Sequence, residues 1–163
     1  VDVGYGQLDW KIRNSSQVKT VEKTNLKICN FEDIYSDDEP IADLLVSDLS
    51  FISLEKVLPN LKTLLNPEFH EMICLIKPQF EVGKENIGKN GIVKDKKLHI
   101  FAISKVCDFC IENGFAVLAL DYSPIKGPDG NIEYLILVKK SESPYIDEFV
   151  DIENVVEDSH EKL

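Results

Sequence analysis

The sequence contains no apolar run that approaches the roughly 20 residues needed to span a bilayer, and it does not open with a secretory signal. We therefore expect a cytoplasmic protein with no membrane among its partners. With 163 residues, of which 44% are hydrophobic and 29% charged, the chain has the composition of one soluble globular domain with a substantial core.

The sequence also lacks the ligand spacing of a zinc site. Cys107 and Cys110 form one close pair, but no second close pair of cysteines or histidines accompanies them. The pair lies deep within a helical pattern, whereas a thioredoxin-like motif opens a helix after a strand. We therefore predict no metal site, and we interpret all four cysteines, which include Cys29 and Cys74, as reduced core thiols.

An excess of basic residues is the third absence. The net charge is -11, which makes the chain as a whole a poor binder of RNA. The charge is unevenly distributed, however: residues 141–163 contain eight acidic residues and one lysine, whereas residues 77–97 contain six lysines and three acidic residues. An RNA substrate is therefore not excluded, and one basic segment is available to contact it.

Hydrophobic periodicity predicts strands that alternate with helices. Residues 42–50 form a continuous apolar run, as in strands that are buried on both faces of a parallel sheet. Residues 51–65 follow with helical spacing, which Pro59 should kink or divide. The clearest amphipathic helix covers residues 96–113, and Gly114 ends it. The predicted strands are residues 18–22, 42–50, 72–76, 115–124 and 132–140.

This alternation indicates an α/β protein with a doubly wound, mostly parallel sheet, in which the last two strands form an antiparallel pair. Residues 1–140 would form this domain, and residues 141–163 a solvated acidic tail that is helical from Tyr145 onward. Ligands of such sheets bind beyond the carboxyl ends of the strands, and Asp48 and Lys77 lie at two of those ends. These two charges indicate either a functional site or a simple ion pair.

The first residues, VDVGYG, have the pattern of a strand end that carries Asp2 at its tip. An acidic residue at this place commonly accepts the two hydroxyls of a nucleotide ribose. Gly4 and Gly6 alone do not make a dinucleotide-binding fingerprint, so a simple turn is the alternative interpretation.

Three stretches together carry a family resemblance: VDVGYGQLDWKIRN, DLLVSDLSFISLEKVLP and IKPQFEVGKENIGKNGIVKD. They resemble the TlyA, or haemolysin A-like, ribosomal RNA methyltransferases, which are relatives of the FtsJ 2′-O-methyltransferases. SPIKGPDGNIEYLI is similar to that family's closing segment, so the resemblance runs from Val1 to about Val138. It implies a Rossmann-like sheet with a final antiparallel hairpin, S-adenosylmethionine as cofactor, and methylation of a cytidine ribose 2′-hydroxyl in ribosomal RNA or ribosomal subunits.

The family's catalytic group is a Lys-Asp-Lys-Glu tetrad. The resemblance implies that Asp48, Lys77 and Glu133 are its aspartate, second lysine and glutamate. It also implies that Asp2 holds the cofactor ribose, that Asn25 lies where the adenine edge is read, and that Asp48 faces the cofactor. The first tetrad lysine, the glycine-rich cofactor loop and the N-terminal RNA-binding domain of the family have no counterpart here. We therefore expect a C-terminal portion of such an enzyme, without the first strands of the sheet and inactive by itself.

Methyl transfer to a ribose hydroxyl needs alignment of the two reactants and removal of one proton. A lysine serves as the base only where its surroundings lower its pKa well below about 10.4. These requirements favour Lys77 as the base, Asp48 as the residue that orients it, and Glu133 as the residue that holds the hydroxyl or its neighbour. Without the family's first lysine, Lys77 would be more simply ion-paired.

The loop at residues 79–95 contains flexible glycines, and its Lys84, Lys89 and Lys94 suit phosphate contact. Composition alone favours a solvated loop whose lysines keep it soluble, whereas the resemblance favours a lid that faces RNA. Phe80 is interpreted either as a stacking partner for an exposed base or as an anchor of the loop.

Three other functions compete with the methyltransferase. The chain could be a non-catalytic scaffold that binds RNA or the ribosome. A cytolysin, as the haemolysin name suggests, would need a spanning segment or a basic amphipathic helix, and the sequence offers neither. A nicotinamide dehydrogenase fits the fold but leaves the charged group unexplained. No histidine is assigned to catalysis: His70 and His160 are predicted at the surface, and His99 as a packed or capping residue.

Overall fold

The structure is a computed structural model that describes residues 1–68 and 71–163, so the surface position predicted for His70 lies outside the described residues. The α-helices are α1 (Trp10–Arg13), α2 (Leu58–Leu61), α3 (Pro78–Glu81), α4 (Lys96–Glu112) and α5 (Ile152–Lys162). The strands are β1 (Leu44–Ser47), β2 (Glu71–Ile76), β3 (Phe115–Tyr122) and β4 (Tyr134–Lys140). Single turns of 3₁₀-helix cover Phe31–Asp33, Leu54–Lys56, Lys62–Leu64, Lys84–Asn86 and Lys89–Gly91.

The four described strands form one mixed sheet in the order β1-β2-β4-β3. β1 and β2 are parallel, and β4 is antiparallel to both of its neighbours, which confirms the α/β class and the antiparallel pairing of the last two strands. Ile76, at the end of β2, lies opposite Tyr134, at the start of β4. Lys77 and Glu133, the next residues outward, are therefore brought to the same edge of the sheet.

Two predictions about strands are wrong. Residues 18–22 do not form a strand, and β1 lies at the edge of the described sheet, with Leu44 50% and Val46 72% exposed. An apolar run favours a strand but does not reveal how many neighbours will cover it. The helix predicted over residues 51–65 is divided, as expected, into α2 and two flanking 3₁₀ turns. Pro59 lies in the first turn of α2, where its missing N–H is not needed.

The main core is formed by the sheet together with α4, and Phe115 and Tyr134 are among its largest fully buried side chains. α4 begins after Asp95, whose side chain accepts a hydrogen bond from a backbone N–H of the first turn. Gly114 follows the helix at φ 84°, the left-handed conformation that ends helices favourably. Local sequence signals therefore fix both ends of α4 close to where they were predicted.

All four cysteines are free and buried, as predicted. Burial raises the pKa of Cys107 to about 11 and the pKa of Cys74 and Cys110 to about 12. Thiols with such values stay protonated and unreactive at neutral pH. Within residues 1–68 and 71–163, no group of three metal-ligating side chains is found.

Helix α5 packs against α4 and β3 instead of extending into solvent. Val156 and Ser159 are buried, and the Ser159 hydroxyl lies 3.1 Å from the Tyr134 hydroxyl of β4. The preceding segment pairs with β3, since the Val117 N–H donates to the Tyr145 carbonyl at 2.8 Å. The prediction of a solvated tail is therefore wrong, because a few apolar and small residues pack this strongly acidic segment against the core.

His99 is fully buried at the centre of this contact, as a packed residue should be. Its Nδ1 lies 2.8 Å from the Tyr134 hydroxyl and its Nε2 lies 2.8 Å from the Val93 carbonyl. Burial lowers the pKa of His99. His160 is half-buried, with its ring 4.7 Å from that of His99, so the surface position predicted for it is wrong because α5 docks.

Replacing Tyr134 by phenylalanine should lower the free energy of unfolding by about 1–3 kcal/mol, because His99 Nδ1 would lose its partner inside the core. Urea denaturation followed by circular dichroism measures this change. Tyr145→Phe is the matched control, since Tyr145 is 50% exposed, and it should have wild-type stability. Equal stability of Tyr134→Phe and the wild type would contradict the role of this link.

Candidate active site

Three charged side chains named from the sequence meet at one edge of the sheet. Asp48 follows β1, Lys77 follows β2, and Glu133 precedes β4. Lys77 Nζ lies 2.6 Å from Asp48 Oδ1 and 3.9 Å from Glu133 Oε1. The side chains of Lys77 and Glu133 are 9% and 8% exposed, whereas that of Asp48 is 71% exposed. Lys77 and Glu133 are therefore largely buried, whereas Asp48, the partner of Lys77, is exposed to solvent.

The Ser50 hydroxyl and the turn that contains Gly127 lie next to this group. Lys77 donates a hydrogen bond to Ser50 Oγ at 3.1 Å, so its ammonium has a second acceptor beside Asp48. Burial raises the pKa of Glu133, while the Lys77 ammonium opposes the rise and the Asp48 carboxylate adds to it. Gly127 makes room for this side chain, because a Cβ there would lie 2.6 Å from Glu133 Oε1.

The stability of the protein should depend on the titration of Glu133. Because its folded-state pKa lies above the ordinary 4.5, the folded state binds this proton more tightly than the unfolded state. The stability it contributes is complete below pH 4.5 and is lost as the pH rises through the folded-state pKa.

Glu133→Gln should remove this loss from the curve of unfolding free energy against pH, measured by urea denaturation at a series of pH values. Asp129→Asn, which changes an exposed carboxylate in the preceding turn, should retain the loss. A curve for Glu133→Gln that overlays the wild-type curve would show that Glu133 titrates normally.

A cleft of about 590 Å³ adjoins the group, and Asp2, Asn25 and Asp48 all line it. Asp2 Oδ1 accepts from the Gly4 N–H, which leaves its second carboxylate oxygen available to a ribose hydroxyl. Asn25 Oδ1 accepts from the Lys27 N–H at 3.0 Å, which fixes the orientation of the amide. The lining thus combines carboxylates, an amide and apolar side chains, a set that fits the ribose and adenine of S-adenosylmethionine.

A second and larger cleft, of about 1450 Å³, is lined by Lys77 and Glu133. It shares Asp48, Ser50 and Phe51 with the first cleft. The charged group therefore lies where the two clefts meet, so a ligand in one cleft and a ligand in the other would approach each other at Asp48 and Lys77.

The loop residues predicted to contact RNA divide into two sets. Phe80 and Lys84 line the larger cleft, whereas Lys89 and Lys94 are exposed but take no part in its lining. Sequence reasoning missed four further basic or aromatic lining residues, each on a segment outside the basic loop. These are Lys27, Phe51, Lys56 and Lys126. Local charge density does not reveal them, because the fold assembles this basic lining from separate parts of the chain.

Phe51 is the most unusual of the missed residues. Its side chain is 91% exposed, and its backbone has φ 64°, a left-handed conformation. Its ring lies 5.3 Å from that of Phe80, and these two rings are referred to below as the aromatic pair. Left-handed backbone costs a non-glycine residue about 1–2 kcal/mol, and such strain concentrates at functional sites. The sequence signal that could have identified Phe51 was its position directly after residues 47–50, SDLS, in one of the stretches that carry the family resemblance.

Comparisons with known proteins identify the family to which this chain is similar. Residues 1–140 match the family model described as FtsJ-like methyltransferase. The chain is 40% identical over 167 residues to "Putative rRNA methyltransferase YqxC" of Bacillus subtilis, a match that covers 100% of this chain and 58% of that protein. It is 40% identical over 138 residues to the 16S/23S rRNA (cytidine-2'-O)-methyltransferase TlyA of Mycobacterium tuberculosis, covering 85% of this chain and 50% of that protein.

A solved structure, "Putative hemolysin from Streptococcus thermophilus", has a TM-score of 0.88 and 37% identity, and the match covers 98% of this chain and 56% of that one. The chain thus spans about half the length of the curated relatives it matches. In the part of the chain that the structure describes, no helix is long and apolar enough to cross a membrane. Because the family model matches residues 1–140, the chain belongs to the FtsJ-like methyltransferase family.

Proposed function

We propose that this chain carries the catalytic residues of an S-adenosylmethionine-dependent RNA 2′-O-methyltransferase. The observation that supports this most directly is the position of Lys77, which is buried between Asp48 and Glu133 where the two clefts meet. One cleft has the carboxylate and amide lining that suits the cofactor. The other has the basic and aromatic lining that suits RNA.

In this proposal the chain aligns a ribose hydroxyl and removes its proton. Lys77 Nζ accepts the proton once that nitrogen is neutral, Asp48 orients the lysine, and Glu133 holds the hydroxyl or its neighbour. S-adenosylmethionine, when bound, supplies an activated methyl group. The ribose oxygen exchanges its hydrogen for that methyl group, and the proton ends on Lys77.

We also propose that this chain does not transfer methyl groups by itself. Among the described residues, Lys77 is the one cation within 4.0 Å of the Asp48 carboxylate. The resemblance adds a second lysine to this group, and that lysine has no counterpart in the sequence.

For the substrate we propose cytidine in ribosomal RNA, either free or within a ribosomal subunit. The Mycobacterium tuberculosis relative is named as a 16S/23S rRNA (cytidine-2'-O)-methyltransferase, and its similarity extends over 85% of this chain. In the larger cleft, Lys84 and the missed lysines would contact phosphates, while the aromatic pair would stack on a base.

Transfer of a labelled methyl group from S-adenosylmethionine to ribosomal RNA and to ribosomal subunits tests the proposal. The intact gene product and this chain are assayed side by side, and digestion to nucleosides identifies the methylated position. We expect transfer by the intact product alone, onto the 2′-oxygen of cytidine. RNA or subunit binding without any transfer would favour the non-catalytic scaffold. Leakage of lipid vesicles at low protein concentration would favour the cytolysin.

A further inference from the structure

Glu81, the last residue of α3, is a deeply buried carboxylate that the proposed chemistry does not use. Its side chain is 1% exposed. Glu81 Oε2 accepts from the Ser53 hydroxyl at 2.7 Å, and Oε1 accepts from the Leu54 N–H at 2.8 Å. Both donors lie at the start of the 3₁₀ turn Leu54–Lys56, so the carboxylate caps this turn from a distant part of the sequence.

Lys105 of α4 balances the buried charge. Its Nζ lies 3.5 Å from Glu81 Oε2 and 2.7 Å from Glu55 Oε2, and it also donates to the Glu81 carbonyl oxygen at 3.2 Å. A buried carboxylate is tolerated when its oxygens accept hydrogen bonds and a cation lies close by. Glu81 meets both conditions, so the cluster holds this side chain in one place.

The carboxylate joins the two segments that carry the site, residues 48–54 and residues 77–81. The ion pair of Asp48 and Lys77 links the segments at one end, and Glu81 links them at the other. The aromatic pair lies between these two links, with one ring on each segment. Because both segments are short, a shift at Glu81 moves the ion pair and the aromatic pair together.

We propose that Glu81 is a positioning residue for methyl transfer. By tying Ser53 and Leu54 to the turn that follows Lys77, it sets the separation of Lys77 from Asp48 and the orientation of the aromatic pair. It acts through these groups and touches neither the cofactor nor the RNA. The inference rests on the proposed function, because the rate that this alignment sets is the rate of methyl transfer.

The test compares Glu81→Gln with Glu55→Gln in the intact gene product. Each variant removes one carboxylate partner of Lys105, but only Glu81→Gln alters the acceptor of the hydrogen bonds from Ser53 and Leu54. We expect kcat of Glu81→Gln to fall about 10- to 100-fold, since displacing reacting groups by about 1 Å has effects of this size, while KM for S-adenosylmethionine is unchanged. Glu55→Gln should keep the wild-type kcat, and the Leu54 amide should lose hydrogen-exchange protection in Glu81→Gln alone.

Ser53→Ala removes one of the same hydrogen bonds from the other side and serves as the second variant should Glu81→Gln fail to fold. It should also lower kcat, and the two substitutions together should have less than the product of their separate effects. A wild-type kcat in either folded variant, with only the melting temperature lowered, would overturn the positioning role. A wild-type protein that transfers nothing would refute the proposed function and this role with it.

Discussion

Replacing Lys77 by alanine is expected to lower the rate of methyl transfer by about 100- to 10,000-fold, the range that a general base contributes. The substitution removes the proton acceptor and leaves Asp48 and Glu133 as two neighbouring carboxylates without their cation. The pKa of Glu133 should then rise further, because the ammonium that opposes the rise is gone. Single-turnover transfer of a labelled methyl group by the intact gene product measures the rate.

The loss should be confined to the chemical step. Affinity for S-adenosylmethionine, measured by calorimetry, should stay at its wild-type value, because Lys77 does not line the smaller cleft. Lys139→Met is the matched control: Lys139 pairs with Glu71 at 2.7 Å, at the opposite end of β2, and its loss should leave transfer unchanged. A decrease of less than about 10-fold in Lys77→Ala would contradict the assignment of this lysine as the base.

Two members of the charged group could be located from sequence because they obey a simple rule. Asp48 and Lys77 each follow an apolar run, and parallel strands bring their carboxyl ends to one edge. Glu133 does not follow a strand but precedes β4, and it reaches the same edge only because β4 inserts antiparallel between β2 and β3. Periodicity predicts the hairpin of β3 and β4 but not this strand order, so Glu133 was recognisable only through the family resemblance.

Burial of a charged side chain is the feature that was hardest to predict from the sequence. Glu81 lies in the basic segment at residues 77–97, where composition counts it as one of three acidic residues among six lysines. In the structure its side chain is 1% exposed and receives hydrogen bonds from Ser53 and Leu54, which precede it by more than 20 residues in the chain. The reverse holds for Lys89 and Lys94, which the family resemblance assigned to a lid that faces RNA and which are exposed outside the lining of the larger cleft.

Composition also failed to predict that one face of helix α5, in the acidic C-terminal segment, is buried. Charge and polarity predicted a solvated tail, because eight acidic residues outweigh the apolar ones in residues 141–163. Docking of α5 needs only the few positions that face the core, such as Val156 and Ser159, and the acidic residues are largely left exposed. A tally of composition averages over both faces and so misses a narrow buried face.

Substitutions at Phe51 should separate the contribution of the aromatic pair to RNA binding from its cost in stability. Phe51→Ala and Phe51→Gly both remove the ring, and each should raise the Kd for RNA by about 5- to 150-fold, since stacking contributes about 1–3 kcal/mol per base. The two variants should differ in stability. Glycine adopts the left-handed conformation without strain, so Phe51→Gly should be more stable than Phe51→Ala by about 1 kcal/mol.

Filter binding of ribosomal RNA and urea denaturation measure the two effects separately. Phe149→Ala is the matched control, because Phe149 is 87% exposed and does not line the larger cleft, and it should bind RNA as the wild type does. Wild-type RNA affinity in both Phe51 variants would show that the ring only anchors its segment. If Phe51→Gly is more stable than Phe51→Ala and also binds RNA more weakly than the wild type, RNA binding rather than folding explains why this strained, exposed ring is present.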